Sequence, residues 1–238
     1  MSKLFKAFMG LAALMALSAL LPGSALAAKA TVTHPTGTTA PVPLNIIATN
    51  VNPSTKTHSV AVLTNEAGEP LTECTTATLT GTLTKNTHAA IEGNITSADF
   101  KGTPGVTPHT THCKSTFGAI TVTTNPATNG LPWCMRATEA MAADEIQIRG
   151  NECAKAARPI RFVLDVIGTE CVYERTTPVV AKYTTHPSQA QVTVTKQEFP
   201  RVSGSFICPT KGFLDMTMWL YAETTAGTEQ PLYIDPVA

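Results

Sequence analysis

Threonine and apolar residues alternate along several segments of the chain, most clearly between residues 76 and 84. There Ala77, Leu79 and Leu83 occupy odd positions, while every even position is a threonine. A period of two places alternate residues on opposite sides of the backbone, so this pattern predicts a half-buried strand with a polar outer face. Threonine is β-branched and suits a pleated surface, which it keeps polar without adding charge.

The same alternation recurs in four later segments, which are centred on residues 120–122, 146–148, 192–194 and 214–220. The longest apolar strand signal runs from Ile160 to Ile167 and leads to Cys171. Pro, Gly and Asn separate these segments, so the sequence predicts an all-β antiparallel sandwich or barrel-like fold. Helix-like composition is confined to Ala137–Ala143 and, more weakly, Cys153–Ala157, so we expect at most one or two short helices.

The chain also resembles itself at a spacing of slightly less than one hundred residues. The matched features are Thr72-Glu73-Cys74 with Thr169-Glu170-Cys171, Phe100 with Phe199, and Cys113 with Cys208. This similarity predicts two related halves, at about residues 59–134 and 158–234, within one all-β domain that spans residues 28–238. The alternative is chance, because threonine-rich strands resemble one another.

The N-terminus has the charge pattern of an export signal. Lys3 and Lys6 precede an uncharged run from Ala7 to Leu21, and Ala25-Leu26-Ala27 provides a small-residue cleavage site. This run is shorter than the roughly 20 apolar residues of a membrane-spanning helix, so residues 1–27 are predicted to be a secretory signal peptide. With neither a lipidation cysteine nor an apolar C-terminal tail, the protein is expected to be secreted, either extracellular or associated with the cell surface, with no membrane anchor.

Charge excludes some partner classes. After loss of Lys3 and Lys6, 15 of the 17 basic residues remain against 17 acidic residues, a formal charge of −2. Nucleic acids and anionic membranes both require a basic surface that replaces counterions. We therefore expect neither as a partner.

The mature chain has an even number of cysteines, namely Cys74, Cys113, Cys134, Cys153, Cys171 and Cys208. In an exported protein this number indicates disulfides, for which fifteen connectivities exist. A zinc site would need close pairs, and no such pair is present. If the halves are related, equivalent positions should form equivalent bonds, which predicts Cys74–Cys113 and Cys171–Cys208 and leaves Cys134–Cys153 as a third bond across a hairpin.

His109 and His112, next to Cys113, are the densest group of possible metal ligands. Two imidazoles and a thiolate would suit zinc or copper. However, Cys113 is assigned to a disulfide and no carboxylate lies nearby in sequence. We therefore expect no cofactor.

The last long strand offers an aromatic face, on which Phe213, Trp219 and Tyr221 share one side. Such rings can stack on sugars or line a ligand cleft, or they can be core against a neighbouring sheet. Hydrolase templates fit poorly, because the chain has no Gly-x-Ser-x-Gly, no His-Glu-x-x-His and no phosphate-binding loop. Asp165 and Asp215 could belong to a carboxylate pair, but we predict no catalytic residue.

Three segments of the chain are Leu131-Pro132-Trp133-Cys134, Ala157-Arg158-Pro159-Ile160-Arg161-Phe162 and Cys171-Val172-Tyr173-Glu174. In these segments the chain resembles uncharacterised secreted proteins of soil actinobacteria, which share threonine-rich strands and similarly placed cysteines. The resemblance implies a bacterial exported protein and no particular activity. The sequence thus favours a non-enzymatic binding module for envelope glycan or a small apolar ligand. The alternatives are a structural or surface-interaction protein and a hydrolase with an unrecognised site.

Overall fold

The structure is a computed structural model that describes residues 30–102, 112–115, 118–123, 130–166, 168–185, 187–224 and 228–236. Its strands are β1 Ala30–Thr33, β2 Leu44–Thr49, β3 Ala61–Thr64, β4 Pro70–Cys74, β5 Thr76–Thr87, β6 Ala90–Lys101, β7 Cys113–Ser115, β8 Gly118–Thr123, β9 Trp133–Thr138, β10 Glu145–Gly150, β11 Ile160–Val166, β12 Thr169–Arg175, β13 Val179–Tyr183, β14 Gln191–Ser203, β15 Lys211–Glu223, β16 Glu229–Pro231 and β17 Tyr233–Pro236. The predicted signal peptide lies outside the described residues. The predicted all-β class is confirmed.

Eight strands close into an antiparallel barrel. Their order around the barrel is β2-β5-β6-β9-β10-β13-β14-β15, and β15 pairs back onto β2. Closure leaves no unpaired edge among these strands, which removes a template for aggregation. Of the two predicted all-β architectures, the structure has the barrel.

The other long run of pairings forms a second closed circuit that uses β14 and β15 again. Its order is β3-β4-β7-β8-β11-β12-β14-β15, with β15 pairing onto β3. The run β3-β4-β7-β8 is followed in this circuit by β11-β12-β14-β15. The proposed duplication of residues 59–134 and 158–234 stays a prediction.

A bulge divides β14 between the two circuits. The register with β15 shifts between Val194 and Gln197, and Lys196 within this interval has a φ of 44°. The bulge leaves the backbone N–H of Lys196 without a partner in the ladder. The Asp215 carboxylate on β15 accepts this N–H at 3.0 Å. Val194 before the bulge and Phe199 after it are both buried, and both line a cavity of about 20 Å³ beside Phe162.

Alternation fills both interiors with apolar side chains. On β15 the inward residues are Gly212, Leu214, Met216, Met218, Leu220 and Ala222, and all are buried. The barrel interior retains a cavity of about 30 Å³, as does the second circuit. A cavity of this size holds one or two water molecules, so the interiors are packed cores.

Aromatic rings join the two interiors. Phe162 lies at their junction and contacts three other rings edge-on: Phe100 at 6.0 Å, Trp133 at 5.9 Å and Phe199 at 5.0 Å between centroids. Each of these rings is less than 10 % exposed. Edge-to-face pairs add to the free energy gained from burying the rings, so Phe162 ties the barrel core to that of the second circuit.

Three disulfides are present: Cys74–Cys113, Cys134–Cys153 and Cys171–Cys208. They are the three pairs that the comparison of the two halves predicted. Cys74–Cys113 joins β4 to β7, whose ladder consists of the single pair Glu73 and Lys114. Three disulfides indicate that the chain folds in an oxidising compartment.

The segments with helix-like composition form turns and a strand end. Ala137 and Thr138 end β9, and the residues after them turn back into β10, with the Met141 N–H donating to the Thr138 carbonyl. The segment at Cys153–Ala157 is also a turn, and the described residues contain no helix. Ala137 lies in the barrel strand β9, which pairs with β10 and β6, and this pairing overrides its helix propensity. Within the described ranges, no helix is long and apolar enough to cross a membrane.

The loop between β14 and β15 covers one end of the second circuit. Ile207 and Pro209 line a cavity of about 10 Å³ with Leu164 and Tyr173 beneath them. The Tyr173 hydroxyl donates to the Pro209 carbonyl at 3.1 Å. Burial raises the pKa of Tyr173 to about 12, although nearby Arg201 opposes the shift. The folded protein therefore keeps this phenol neutral at a pH where the unfolded chain ionises it.

Replacing Phe162 with Ala should lower the free energy of unfolding by about 3–5 kcal/mol, because it leaves a cavity at the junction of the two cores. The matched control is Phe206→Ala, since Phe206 is 96 % exposed and its loss should change stability by less than about 0.5 kcal/mol. Equilibrium unfolding in guanidinium chloride, with the disulfides intact, measures both. Equal stability of the two variants would contradict the role assigned to Phe162.

Tyr173→Phe should weaken the loss of stability at high pH. Because the folded pKa lies above the unfolded value of about 10, the stabilisation by neutral Tyr173 is complete below pH 10 and is lost as the pH rises to about 12. Over this interval the wild-type unfolding free energy should fall by about 1–3 kcal/mol more than that of the variant. Denaturant unfolding at a series of pH values tests this, and parallel curves for the two proteins would refute it.

Candidate functional site

The predicted aromatic face lies on the outside of β15, but its three rings do not form one open platform. Trp219 is 8 % exposed and Tyr221 is 7 % exposed, whereas Phe213 is half-buried. Phe213 lies six residues from Trp219, about 20 Å along an extended strand, and it pairs with Thr64 of β3 in the second circuit. Trp219 and Tyr221 belong to the barrel, where they lie opposite Thr49 and Ile47 of β2. The structure thus keeps Trp219 and Tyr221 together and sets Phe213 apart.

An open cleft of about 480 Å³ lies over Trp219. The described residues that line it are Asn52, Pro53, Ser54, Thr184, Ser188, Gln189, Gln191, Trp219 and Tyr233. This volume is within the range of small-molecule sites and far larger than the cavities inside the two circuits. We call it the Trp219 cleft.

The first wall of the cleft is the turn that follows β2. The Asn52 carboxamide oxygen accepts the backbone N–H groups of Ser54 and Thr55, at 2.9 and 3.0 Å. The Asn52 N–H donates to the Thr57 carbonyl at 2.8 Å and closes the turn. An asparagine that bonds its own downstream backbone makes a compact turn, so this wall is fixed locally by sequence.

The second wall is the connection from β13 to β14. The Thr184 hydroxyl donates to the Gln189 carbonyl and accepts the Gln191 N–H, both at 3.1 Å. The C-terminal segment locks this connection against β15, because the Ala190 N–H donates to the Leu232 carbonyl at 2.8 Å and the Leu220 N–H donates to the Ala190 carbonyl at 2.9 Å. The same segment leads into β17, which begins at Tyr233 and contributes its ring to the cleft.

Gln189 links the second wall to β15, the strand that carries Trp219 and forms the floor of the cleft. Its amide nitrogen donates to the Leu220 carbonyl at 3.0 Å, and its side chain also hydrogen-bonds Tyr221. Burial raises the pKa of Tyr221, although the bond to Gln189 opposes the shift. Tyr221 is therefore a neutral part of the cleft's support at physiological pH.

Other polar groups in the cleft are unpaired. In the part of the chain that the structure describes, neither the indole N–H of Trp219 nor the side-chain amide of Gln191 has a protein hydrogen-bond partner, and the hydroxyls of Ser54 and Ser188 have none either. The lining residues also carry no formal charge. The cleft therefore offers donors and acceptors beside aromatic surface, without an ion to bind a charged ligand.

The carboxylates that might have suggested a hydrolase have structural partners. Asp215 accepts the N–H of Lys196 at the β14 bulge, and Asp165 accepts the N–H of Gly168 at 2.9 Å in the turn after β11. Asp165 lies opposite Glu170 on an exposed strand pair. Neither aspartate lines the Trp219 cleft.

The candidate metal ligands are only partly described. His109 lies outside the described residues, and His112 is half-buried next to the disulfide-bonded Cys113. Within the described ranges, no group of three or more His, Cys, Asp or Glu residues is arranged to hold a metal ion. The structure does not test whether His109 and His112 bind a metal, and the expectation of no cofactor stays a prediction.

Sequence reasoning identified Trp219 but missed the residues around it. Gln191 lies directly opposite Trp219 in the β14–β15 ladder, Asn52 follows β2, which barrel closure pairs with β15, and Tyr233 begins β17. The local signal available was the turn sequence Asn52-Pro53-Ser54, which predicts a turn but gives no neighbour. Comparison with known proteins adds no further assignment, because no family model, curated protein or solved structure matches the chain.

Proposed function

We propose that this protein is an exported, non-enzymatic module that binds a glycan in the Trp219 cleft. The observation that carries the proposal is an open, uncharged polar cleft of about 480 Å³ whose floor is an aromatic side chain. Sugars present hydroxyls at their edges and C–H groups on their faces. Amides and hydroxyls beside a ring match both features.

The lining favours a neutral glycan. A uronate or sulfate group would lose hydration on entering the cleft, and no described lining residue offers a cation to compensate. Neutral hydroxyls can bond the Gln191 amide, the Trp219 N–H and the serine hydroxyls. Trp219 is only 8 % exposed, so it offers the ligand a small part of its indole.

A small apolar ligand is the weaker candidate. The apolar spaces inside the two circuits are each about 30 Å³, which is too small for a ligand without repacking of the core. Export rests on the predicted signal peptide and is supported by the three disulfides.

Gln191→Ala should weaken binding of a neutral glycan by about 5- to 10-fold, the effect of losing one or two hydrogen bonds. Trp219→Phe should act in the same direction, because it removes the indole N–H and keeps most of the buried ring. Calorimetric titration of the oxidised protein with soluble glucans, mannans, galactans and chitin oligosaccharides measures the effect.

Gln230→Ala is the matched control, since it removes an amide of the same type from β16, outside the cleft lining. It should bind as the wild type does, and polygalacturonate should bind more weakly than any neutral ligand that binds. Absence of binding across the panel, or equal affinity of the Gln191→Ala and wild-type proteins, would overturn the proposal.

A further inference from the structure

Phe206 is the most exposed large apolar side chain in the described part of the protein. It is 96 % exposed, at the tip of the loop that joins β14 to β15, and Val202 (54 %) and Ile207 (36 %) lie beside it. Apolar residues commonly remain partly exposed, but an aromatic ring wholly in water adds no packing to the fold. We call residues 202–210 the Phe206 tip.

The tip is braced from several sides. The Cys171–Cys208 disulfide ties it to β12, and the Arg201 guanidinium donates to the Ser205 carbonyl at 2.7 Å and also to the Cys208 carbonyl. The Arg201 N–H donates to the Thr210 carbonyl at 2.8 Å. A loop held in this way presents Phe206 in one place, so little conformational entropy is lost when the ring is bound.

Part of the backbone of the tip is hydrogen-bonded within the protein, which lowers the cost of burying it. Five of its backbone groups already have partners within the protein: the carbonyls of Ser205, Cys208, Pro209 and Thr210, and the N–H of Cys208. Covering these groups costs less than covering the same groups hydrogen-bonded to water. The Phe206 tip thus combines an exposed anchor with a backbone that is partly satisfied within the protein.

Acidic side chains flank the tip. The Glu66 carboxylate accepts the Thr210 hydroxyl at 3.2 Å, and a Cβ on Gly204 would lie 3.0 Å from the Glu170 carbonyl. Glu170 is opposite Asp165, and both are exposed. Of the nearby cations, Lys211 pairs with Glu198 at 3.1 Å, whereas Arg201 bonds neutral loop carbonyls and keeps its charge. Glu66, Glu170 and Asp165 against Arg201 leave the surroundings of the tip net negative.

We propose that the Phe206 tip docks onto a partner protein, inserting Phe206 into an apolar pocket that is bordered by lysine or arginine side chains. Aromatic anchors in central pockets dominate many protein interfaces, and opposite charges at the rim add specificity and a faster association rate. This surface involves none of the residues that line the Trp219 cleft, so it does not rest on the proposed function.

Two other occupants fit less well. A second copy that docked through the same surface would bring the Glu66 and Glu170 carboxylates of both copies together, and like charges across an interface disfavour it. A bilayer would receive one ring from a tip flanked by Glu66 and Glu170, and anionic lipids would repel those carboxylates.

The test uses a displayed library of randomised cyclic peptides that is selected on the oxidised wild-type protein alone. The selected peptides should combine apolar residues with lysine or arginine. Phe206→Ser should weaken their binding by about tenfold or more, because the anchor is lost. Its unfolding transition should match that of the wild type, since the ring packs against nothing.

The double variant Glu66→Gln with Glu170→Gln should weaken binding by about 3- to 10-fold and reduce its sensitivity to salt. Val60→Ser is the matched control, because it removes an exposed apolar residue at the opposite end of β3 from the turn that contains Glu66. It should bind like the wild type.

Peptides that bind Phe206→Ser as well as the wild type, or an enrichment of acidic peptides, would overturn the proposal. Sedimentation of the protein with phosphatidylcholine vesicles, if lost in Phe206→Ser, would assign the tip to a bilayer instead. A concentration-dependent dimer that Phe206→Ser abolishes would assign it to a second copy. Either result would replace the proposed partner.

Discussion

The antiparallel pairing of β14 with β15 is the interaction on which the rest of the structure depends. Both strands are 13 residues long, and each takes part in the barrel and in the second circuit. Without this pair, neither circuit closes. The bulge at Lys196 lets one continuous strand serve two cores, and Asp215 satisfies the N–H that the bulge displaces. A carboxylate that looks catalytic in the sequence is thus required for the backbone path.

Local periodicity predicts the strands well, because a strand's inward face is encoded within a few residues. The alternation at Ala77 and Leu79 and the apolar run that begins at Ile160 are both strands with the expected buried faces. The six cysteines also carry long-range information, since matching the two halves of the chain predicts all three disulfides. Helix-like composition at Ala137 misled the local analysis, because cross-strand pairing decides that segment.

The candidate site is less predictable, because its residues meet through the pairing of β15 with β14 and β2 and through the C-terminal segment. Trp219 is recognisable as an aromatic on a strand, but nothing near it in sequence points to Gln191 or Tyr233. Alternation places Phe213 on the same outer face, yet the two circuits use different ends of β15 and separate it from Trp219. The exposure of Phe206 could not be predicted from sequence, because an apolar residue between Ser205 and Ile207 has no local signature of exposure. Its position depends on the hydrogen bonds of Arg201 and on the disulfide of Cys208, which hold the loop.

The interiors of the barrel and of the second circuit are packed with side chains, so a ligand has to bind on the surface. Each circuit retains an apolar cavity of about 30 Å³, so a ligand inside would have to displace packed side chains. The two surfaces with free binding capacity lie toward opposite ends of the shared strand pair. Lys211, where β15 leaves the Phe206 tip, and Trp219 are eight residues apart, about 26 Å along an extended strand. Because paired strands are stiff, the two proposed binding surfaces keep a fixed separation, and occupation of one would leave the other open.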